Sequence, residues 1–191
     1  SKTVNDLVAY ALPWTLFITS IALTITFLLG ITLGSLMVWH RRGVLNALIT
    51  TFCTVTSAIP VFVWAFLLMI LFVFELGWFP INGSYDIAYT PGFNLPFIGS
   101  ALYHAALPVL TYVLTMMGLW ALQMKSSGIS VMGEDYITAA YARGLSSRTI
   151  RKRYMMRNAM LPVVTMLAIT FAMMISTGSF VETTYKYPGM G

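Results

Sequence analysis

Residues 11–39 read ALPWTLFITSIALTITFLLGITLGSLMVW, and none of them carries a charge. A helix needs about 20 mostly apolar residues to cross the hydrocarbon core of a bilayer. This run is long enough to do so. It does not alternate polar and apolar residues over some ten positions, as a strand of a membrane barrel would. The reading that follows is a membrane-spanning α-helix.

The same reading repeats along the chain. Residues 44–74, 105–124 and 158–181 are also free of charge. Hydrophobic residues make up 58% of the 191 positions and charged ones only 9%, against about 25% charged in soluble domains. Too little polar surface remains to cover a water-soluble globule, so the chain reads as an integral membrane protein. The expected fold class is all-α, a polytopic transmembrane helical bundle in one domain over 1–191. Its spans are placed at 11–39, 44–75, 104–124 and 159–181. No small-residue cleavage site follows a short apolar stretch, as in a removable signal peptide.

Charge sets the expected orientation. Arg41 and Arg42 lie in the turn HRRG, and Lys125 follows the third run. Six of the eleven Lys and Arg residues fall within residues 136–162: Arg143, Arg148, Arg151, Lys152, Arg153 and Arg157. Residues 77–103 hold no Lys or Arg and one acid, Asp86. Short positively charged loops stay in the cytoplasm. HRRG and a segment 125–157 are therefore expected inside and the loop 77–103 outside, with residues 1 and 191 both on the outer side. The basic cluster also suits contact with anionic membrane lipid.

Several residues refine the spans. Gly30 and Gly34 have the G-x-x-x-G spacing that lets helices approach closely in lipid, with packing inside the chain as its expected use. Pro60 removes a backbone donor and is expected to kink or split the second span. Pro108 is expected in the first turns of the third span, and Pro162 at the start of the fourth, where a missing N–H is harmless. The aromatics of loop 77–103 leave two readings open, an interfacial belt or a docking surface for an external partner. Glu75 and Glu182 are expected near the outer ends, within reach of water. Acids or histidines deep in the spans, which ion-coupled transport usually needs, are almost absent. Transport would then be powered from elsewhere, along a pathway whose candidates are Thr54, Ser57, Met173, Met174, Ser176 and Thr177. Cys53 stands alone, and His40 and His104 form no metal-binding spacing.

The segment EDYITAAYAR, residues 134–143, reads as a short helix. Glu134 and Asp135 at its start and Arg143 at its end suit the helix dipole. Gly144 is a left-handed stop, and a second helix begins with Ser146 or Ser147 as cap. A helix this short is marginal alone. Ile137, Ala140 and Tyr141, at i, i+3, i+4, are its expected docking face, and Ala139 and Ala140 leave room for another backbone. The expectation is a small helix that plugs into a soluble partner.

These residues carry a resemblance. TAAYARG resembles the EAA motif of ABC importer permeases. The longer run EDYITAAYARGLSSRTIRKRYMMRNAMLPVVT is similar to its version in the peptide and nickel branch. ALPWTL, LGWFPINGSY, HAALPVLT and FVETTYKYPGMG fit the B-type permease of that branch, the last resembling its VET-x-x-x-x-PG-x-G. The resemblance implies the type I ABC importer permease fold, with the EAA segment as a cytoplasmic coupling helix seated on an ATP-binding subunit. The residues carried over are Asp135, Tyr136, Ile137, Thr138, Ala139, Ala140, Tyr141, Arg143, Gly144 and Leu145. Thr138 stands where the motif has Glu. Six spans are usual in the family, so the chain is expected to be a fragment lacking one helix at each end.

The implied role is that of a transport subunit in the prokaryotic inner membrane, without catalytic residues or metal. Its implied partners are a C-type permease, two cytoplasmic ATP-binding subunits and an extracytoplasmic peptide-binding protein, with no nucleic acid. ATP and Mg belong to the partner ATPase subunits, since no G-x-x-x-x-G-K-[ST] occurs here. Dipeptides, longer peptides and nickel all fit the branch. Two other classes are weighed against this reading. A membrane-embedded enzyme lacks paired acids, a Ser/Lys or Ser/His pair and metal ligands at bilayer depth. A scaffold or channel subunit would use the basic segment only for lipid contact or orientation.

Overall fold

The computed structural model describes residues 3–40 and 43–191. Arg41 and Arg42, on which part of the orientation reading rests, lie outside the described residues. The helices are α1 (Val4–Trp39), α2 (Val44–Ala58), α3 (Val61–Met69), α4 (Leu95–Met132), α5 (Asp135–Ala142), α6 (Ser147–Thr149), α7 (Arg157–Thr165) and α8 (Leu167–Thr184). Wider π-type turns continue α3 through Ile70–Glu75 and join α6 to α7 through Ile150–Met156. Among the described residues there is no strand. α1, α4 and α8 are each long and apolar enough to cross a membrane, and α2 with α3 forms a broken fourth candidate.

The start of α1 and both ends of α4 lie beyond the charge-free runs. α1 begins at Val4 because Thr3 and Asp6 cap it reciprocally: Thr3 donates through N (2.9 Å) and Oγ1 (2.8 Å) to the Asp6 carboxylate, and Asp6 N returns to Thr3 Oγ1. Such a box satisfies orphan N–H groups of a first turn. The second run is split at Pro60, as its missing N–H requires. α2 stops at Ala58, and Pro60, at φ −57° and ψ 146°, precedes the first residue of α3.

Two proline expectations are corrected. α4 starts at Leu95, so Pro108 lies deep in the helix rather than in its first turns. Pro162 lies inside α7 rather than opening a span, because helical structure already runs from Ser147. The break near the fourth run falls at Met166 instead.

Contacts gather the chain into two compact units, residues 1–24, 59–115 and 171–191 in the first and 25–58 and 116–170 in the second. The first unit has a core of Ile18, Ala22, Ala65, Tyr112, Met174 and Val181. Polar groups there are tied internally. Tyr185 shares a 3.0 Å hydrogen bond with Thr111 and donates to the Ala65 carbonyl at 3.1 Å. Tyr112 donates to the Met174 carbonyl.

Glu182 is buried at 2% exposure, against the expectation that water reaches it. Its carboxylate accepts from Thr15 Oγ1 at 2.5 Å and from Gly191 N at 2.6 Å. Met190 N donates to Thr15 Oγ1 at 2.9 Å, closing the loop. A Cβ on Gly189 would stand 2.0 Å from the carboxyl carbon. The turn in PGMG thus folds over the carboxylate, and only a residue without a side chain fits against it.

In the second unit α1 and α4 pack through glycines. A Cβ on Gly30 would meet Trp120 Cβ at 2.2 Å, and one on Gly34 would meet the Ala121 carbonyl at 2.5 Å. The G-x-x-x-G spacing therefore serves packing inside the chain, as expected. Gly118 sits equally close to α2, 2.2 Å from Ser57 Oγ and 2.3 Å from the Cys53 carbonyl by the same measure.

Candidate functional site

The coupling candidate lies in the second unit and is built from α5 outward. Glu134 is the extended residue before the helix, though its side chain makes no cap bond. At the other end Gly144 N donates to the Tyr141 carbonyl (2.9 Å) and Leu145 N to the Ala140 carbonyl (3.2 Å). These paired bonds, with Gly144 at φ +75°, form a Schellman closure, whose left-handed residue is usually glycine. Leu145 packs against the buried cluster to which Ala140 belongs. Ser146 then caps the next helix, accepting from Thr149 N at 3.3 Å.

The apolar face of α5 is not free. Ile137, Ala140 and Ile150 form a buried cluster, with Val131, Met132, Leu145 and Tyr154 packed around it. The expected docking face of Ile137, Ala140 and Tyr141 is corrected accordingly: Ile137 and Ala140 bind the chain itself, and only Tyr141 is exposed. A helix of eight residues needs a tertiary partner, and here its own chain supplies one. Asn158 adds a polar tie, donating to Tyr136 Oη at 3.1 Å. What α5 presents outward is Asp135, Tyr136, Thr138, Ala139, Tyr141, Arg143 and Gly144.

The turns behind α5 explain how a basic segment can anchor it. The π-type turn at Ile150–Met156 lets Ile150 and Met155, five positions apart, both be buried. An α-helix would bring residues three or four apart onto one face. Lys152 and Arg153 stay exposed while Arg151, half-buried, lays its guanidinium 5.6 Å from the centre of the Trp39 ring.

Lys125 is also relocated. It lies within α4, not in a loop after it, and donates to Thr50 Oγ1 at 2.8 Å. The segment expected at 125–157 therefore begins with two more turns of α4. Likewise the last residues of the expected loop 77–103 belong to the start of that helix. Within the loop, Phe79 stacks on Tyr103 and Trp14 of α1 stacks on Tyr85, whereas Phe93 stands free of the fold.

The pathway candidates fall into both units. Thr54 and Ser57 are in the second, and each returns its hydroxyl to the backbone one turn earlier (Thr50 and Cys53 carbonyls, 2.8 and 2.6 Å). Met173, Met174, Ser176 and Thr177 are in the first. Met174 is buried, while Met173, Ser176 and Thr177 form an exposed i, i+3, i+4 stripe on α8. Sequence reasoning placed Leu145 in the coupling set and missed Ile150 and Asn158 as supports of α5, and Thr15 as the partner of Glu182.

Residues 27–191 match the family described as binding-protein-dependent transport system inner membrane component. The chain belongs to this family. Among relatives of this inner membrane component, the oligopeptide transport system permease protein OppB of Haemophilus influenzae is 30% identical over all of the chain. The putrescine export system permease protein SapB of Escherichia coli is 30% identical over 94% of it. The chain spans 58% and 61% of the length of these two relatives. A crystal structure of an amino acid ABC transporter with histidines aligns with 97% of the chain and 75% of its own, at a TM-score of 0.70 and 17% identity. That likeness shows the fold, the type I permease arrangement. This inner membrane component is thus a multi-pass protein of the cytoplasmic membrane.

Proposed function

We propose that the chain is part of the transmembrane permease subunit of an ATP-driven importer for di- or oligopeptides. In this reading it pairs with a C-type permease and two cytoplasmic ATP-binding subunits, which hold ATP and Mg, and receives cargo from an external peptide-binding protein. ATP hydrolysis belongs to those partner subunits, and this chain is not an enzyme. Its part is to turn closure of the ATPases into alternating access.

The observation that carries the reading is the build of α5. The helix is pinned to the chain by Ile137 and Ala140, ended by a Schellman closure, and open on the side of Thr138, Ala139 and Arg143. A pinned short helix passes a push to what holds it, where a loose one would absorb it. Small residues at Ala139 and Gly144 let a partner's backbone come close. The replacement of Glu by Thr138 leaves the contact relying on shape and on Arg143 rather than on a carboxylate. The two states of the transporter must bind the ATPases differently, since only differential affinity drives a switch.

A specific relative favours a second reading. The Escherichia coli relative is named for putrescine export, so a small polyamine moving outward competes with inward peptide. Nickel or another small solute of the same branch, and a scaffold without transport, remain further outcomes. The test is the complete complex, reconstituted in lipid vesicles with its binding protein. Peptide import follows if labelled peptide accumulates only with ATP and binding protein, and if Gly144→Trp abolishes ATPase docking without affecting insertion. Transport of putrescine but not peptide would support the second reading. Unchanged uptake and assembly in Gly144→Trp would remove the coupling role.

A further inference from the structure

The segment from Ser147 to Arg157 holds five cations, Arg148, Arg151, Lys152, Arg153 and Arg157, and no acid. Its helical run continues without a gap into the apolar residues of α7. Two stripes run along it. Met155, Ala159 and Val163 are buried, at spacings of four. Arg153, Arg157, Leu161 and Val164 are exposed, at spacings of four, four and three. Within α7, at about 100° per residue, an offset of two positions sets Arg157 and Leu161 on roughly the opposite face from Ala159 and Val163. Leu161 is 64% exposed and Val164 44%.

The outward stripe is therefore ordered along its axis, two guanidinium groups and then two bare aliphatic side chains. Arg153 lies about one turn before Arg157 and both are exposed, so their two long guanidinium side chains can meet one anion. Arg presents paired N–H donors that match a phosphate group. A soluble acidic partner would account for the arginines but not for Leu161 and Val164 directly beneath them. A phospholipid accounts for both. The other side of the same helix fixes its rotation, through Arg151 on Trp39 and through Ser127, which donates to the Ala159 carbonyl at 2.8 Å.

We infer that this stripe is a binding site for one anionic phospholipid. Its phosphate sits between Arg153 and Arg157, and an acyl chain lies along Leu161 and Val164. Arg148 is outside the site.

The experiment places the full-length chain, in its assembled complex, in nanodiscs of equal parts phosphatidylglycerol and phosphatidylcholine. Native mass spectrometry after mild delipidation then counts the lipids retained. Wild type retains phosphatidylglycerol selectively. Arg153→Gln with Arg157→Gln lowers that retention about thirtyfold, as two juxtamembrane cations should, and Arg153→Lys with Arg157→Lys keeps only part of it, having the charge without the paired donors. Leu161→Ser with Val164→Ser lowers retention at unchanged charge. Arg148→Gln, a charge lost from the same segment outside the site, leaves retention intact. If that control costs as much per charge as the Arg153 and Arg157 pair, charge acts diffusely and the site does not exist. Displacement of the lipid by millimolar inorganic phosphate would make the ligand a free anion and overturn the inference. So would a double Gln variant that keeps its lipid but loses the ATP-binding subunit, since the face would then belong to that partner.

Discussion

Thr15 on α1 donates a 2.5 Å hydrogen bond to Glu182 on α8, across 167 positions of sequence. The same carboxylate holds Gly191 N, and Thr15 in turn holds Met190 N. One buried acid thus gathers a helix near the start of the chain, a helix near its end and the turn beyond. A buried polar group left without its partner costs about 1–3 kcal/mol. Glu182→Ala strands the Thr15 hydroxyl and the Gly191 amide together and also leaves a cavity. It should destabilise by about 3 kcal/mol or more. Glu182→Gln keeps one carbonyl acceptor and should cost about half as much. Thermal unfolding in detergent gives the order, and equal melting temperatures for both variants and wild type would show that the carboxylate holds nothing.

Gly144 makes a different kind of demand. A Cβ there meets nothing within 4 Å, so space is not the constraint, but its φ of +75° is. A left-handed backbone costs an ordinary L-residue about 1–2 kcal/mol, and Asn tolerates it better than most. Gly144→Ala should therefore unravel the end of α5 more than Gly144→Asn. Hydrogen exchange at the Gly144 and Leu145 amides reads this directly. Equal protection in the two variants would show that the left-handed turn is not what closes the helix.

These two sites mark what could and could not be read from sequence. Gly144 was legible because its signal is local: a helix-length pattern, then a glycine, then Ser-Ser. The split at Pro60 and the packing of Gly30 and Gly34 were legible for the same reason, since a missing N–H or Cβ acts wherever it stands. The burial of Glu182 was not, because it depends on Thr15 far away in the chain. Charge-free windows do not give helix ends: they measure how much chain can sit in hydrocarbon, while α1 runs on to a cap at Thr3 and Asp6. The apolar face of α5 was identified correctly, but not its partner. Periodicity shows that Ile137 and Ala140 must pack against something, and cannot distinguish Ile150 of the same chain from a second protein.

Ile137→Ala tests that assignment. Truncating a buried Ile costs about 2–5 kcal/mol, here concentrated in the attachment of one short helix. The expected result is faster hydrogen exchange throughout Asp135–Ala142, with protection in α8 and in the part of α4 before Val131 unchanged. Ile150→Ala should produce the same local pattern, because both side chains belong to one cluster. Loosening of α5 by Ile137→Ala but not by Ile150→Ala would mean that α5 is held by something other than this contact.

Two glycines on α4 should respond in opposite directions to the same substitution. A Cβ at Gly99 meets nothing within 4 Å, so Gly99→Ala adds only helix propensity. It should stabilise by up to about 1 kcal/mol. A Cβ at Gly118 would lie 2.2 Å from Ser57 Oγ and 2.3 Å from the Cys53 carbonyl oxygen. The serine hydroxyl can rotate away, but the carbonyl belongs to the backbone of α2 and cannot move without it. Overpacking of this kind costs about 1–3 kcal/mol, which outweighs the propensity gain. Gly118→Ala should therefore lower the melting temperature where Gly99→Ala raises it. Adding Ser57→Gly should restore only part of the loss, because it removes the hydroxyl and leaves the carbonyl in place. Full restoration would mean that the side chain alone sets the distance between α2 and α4.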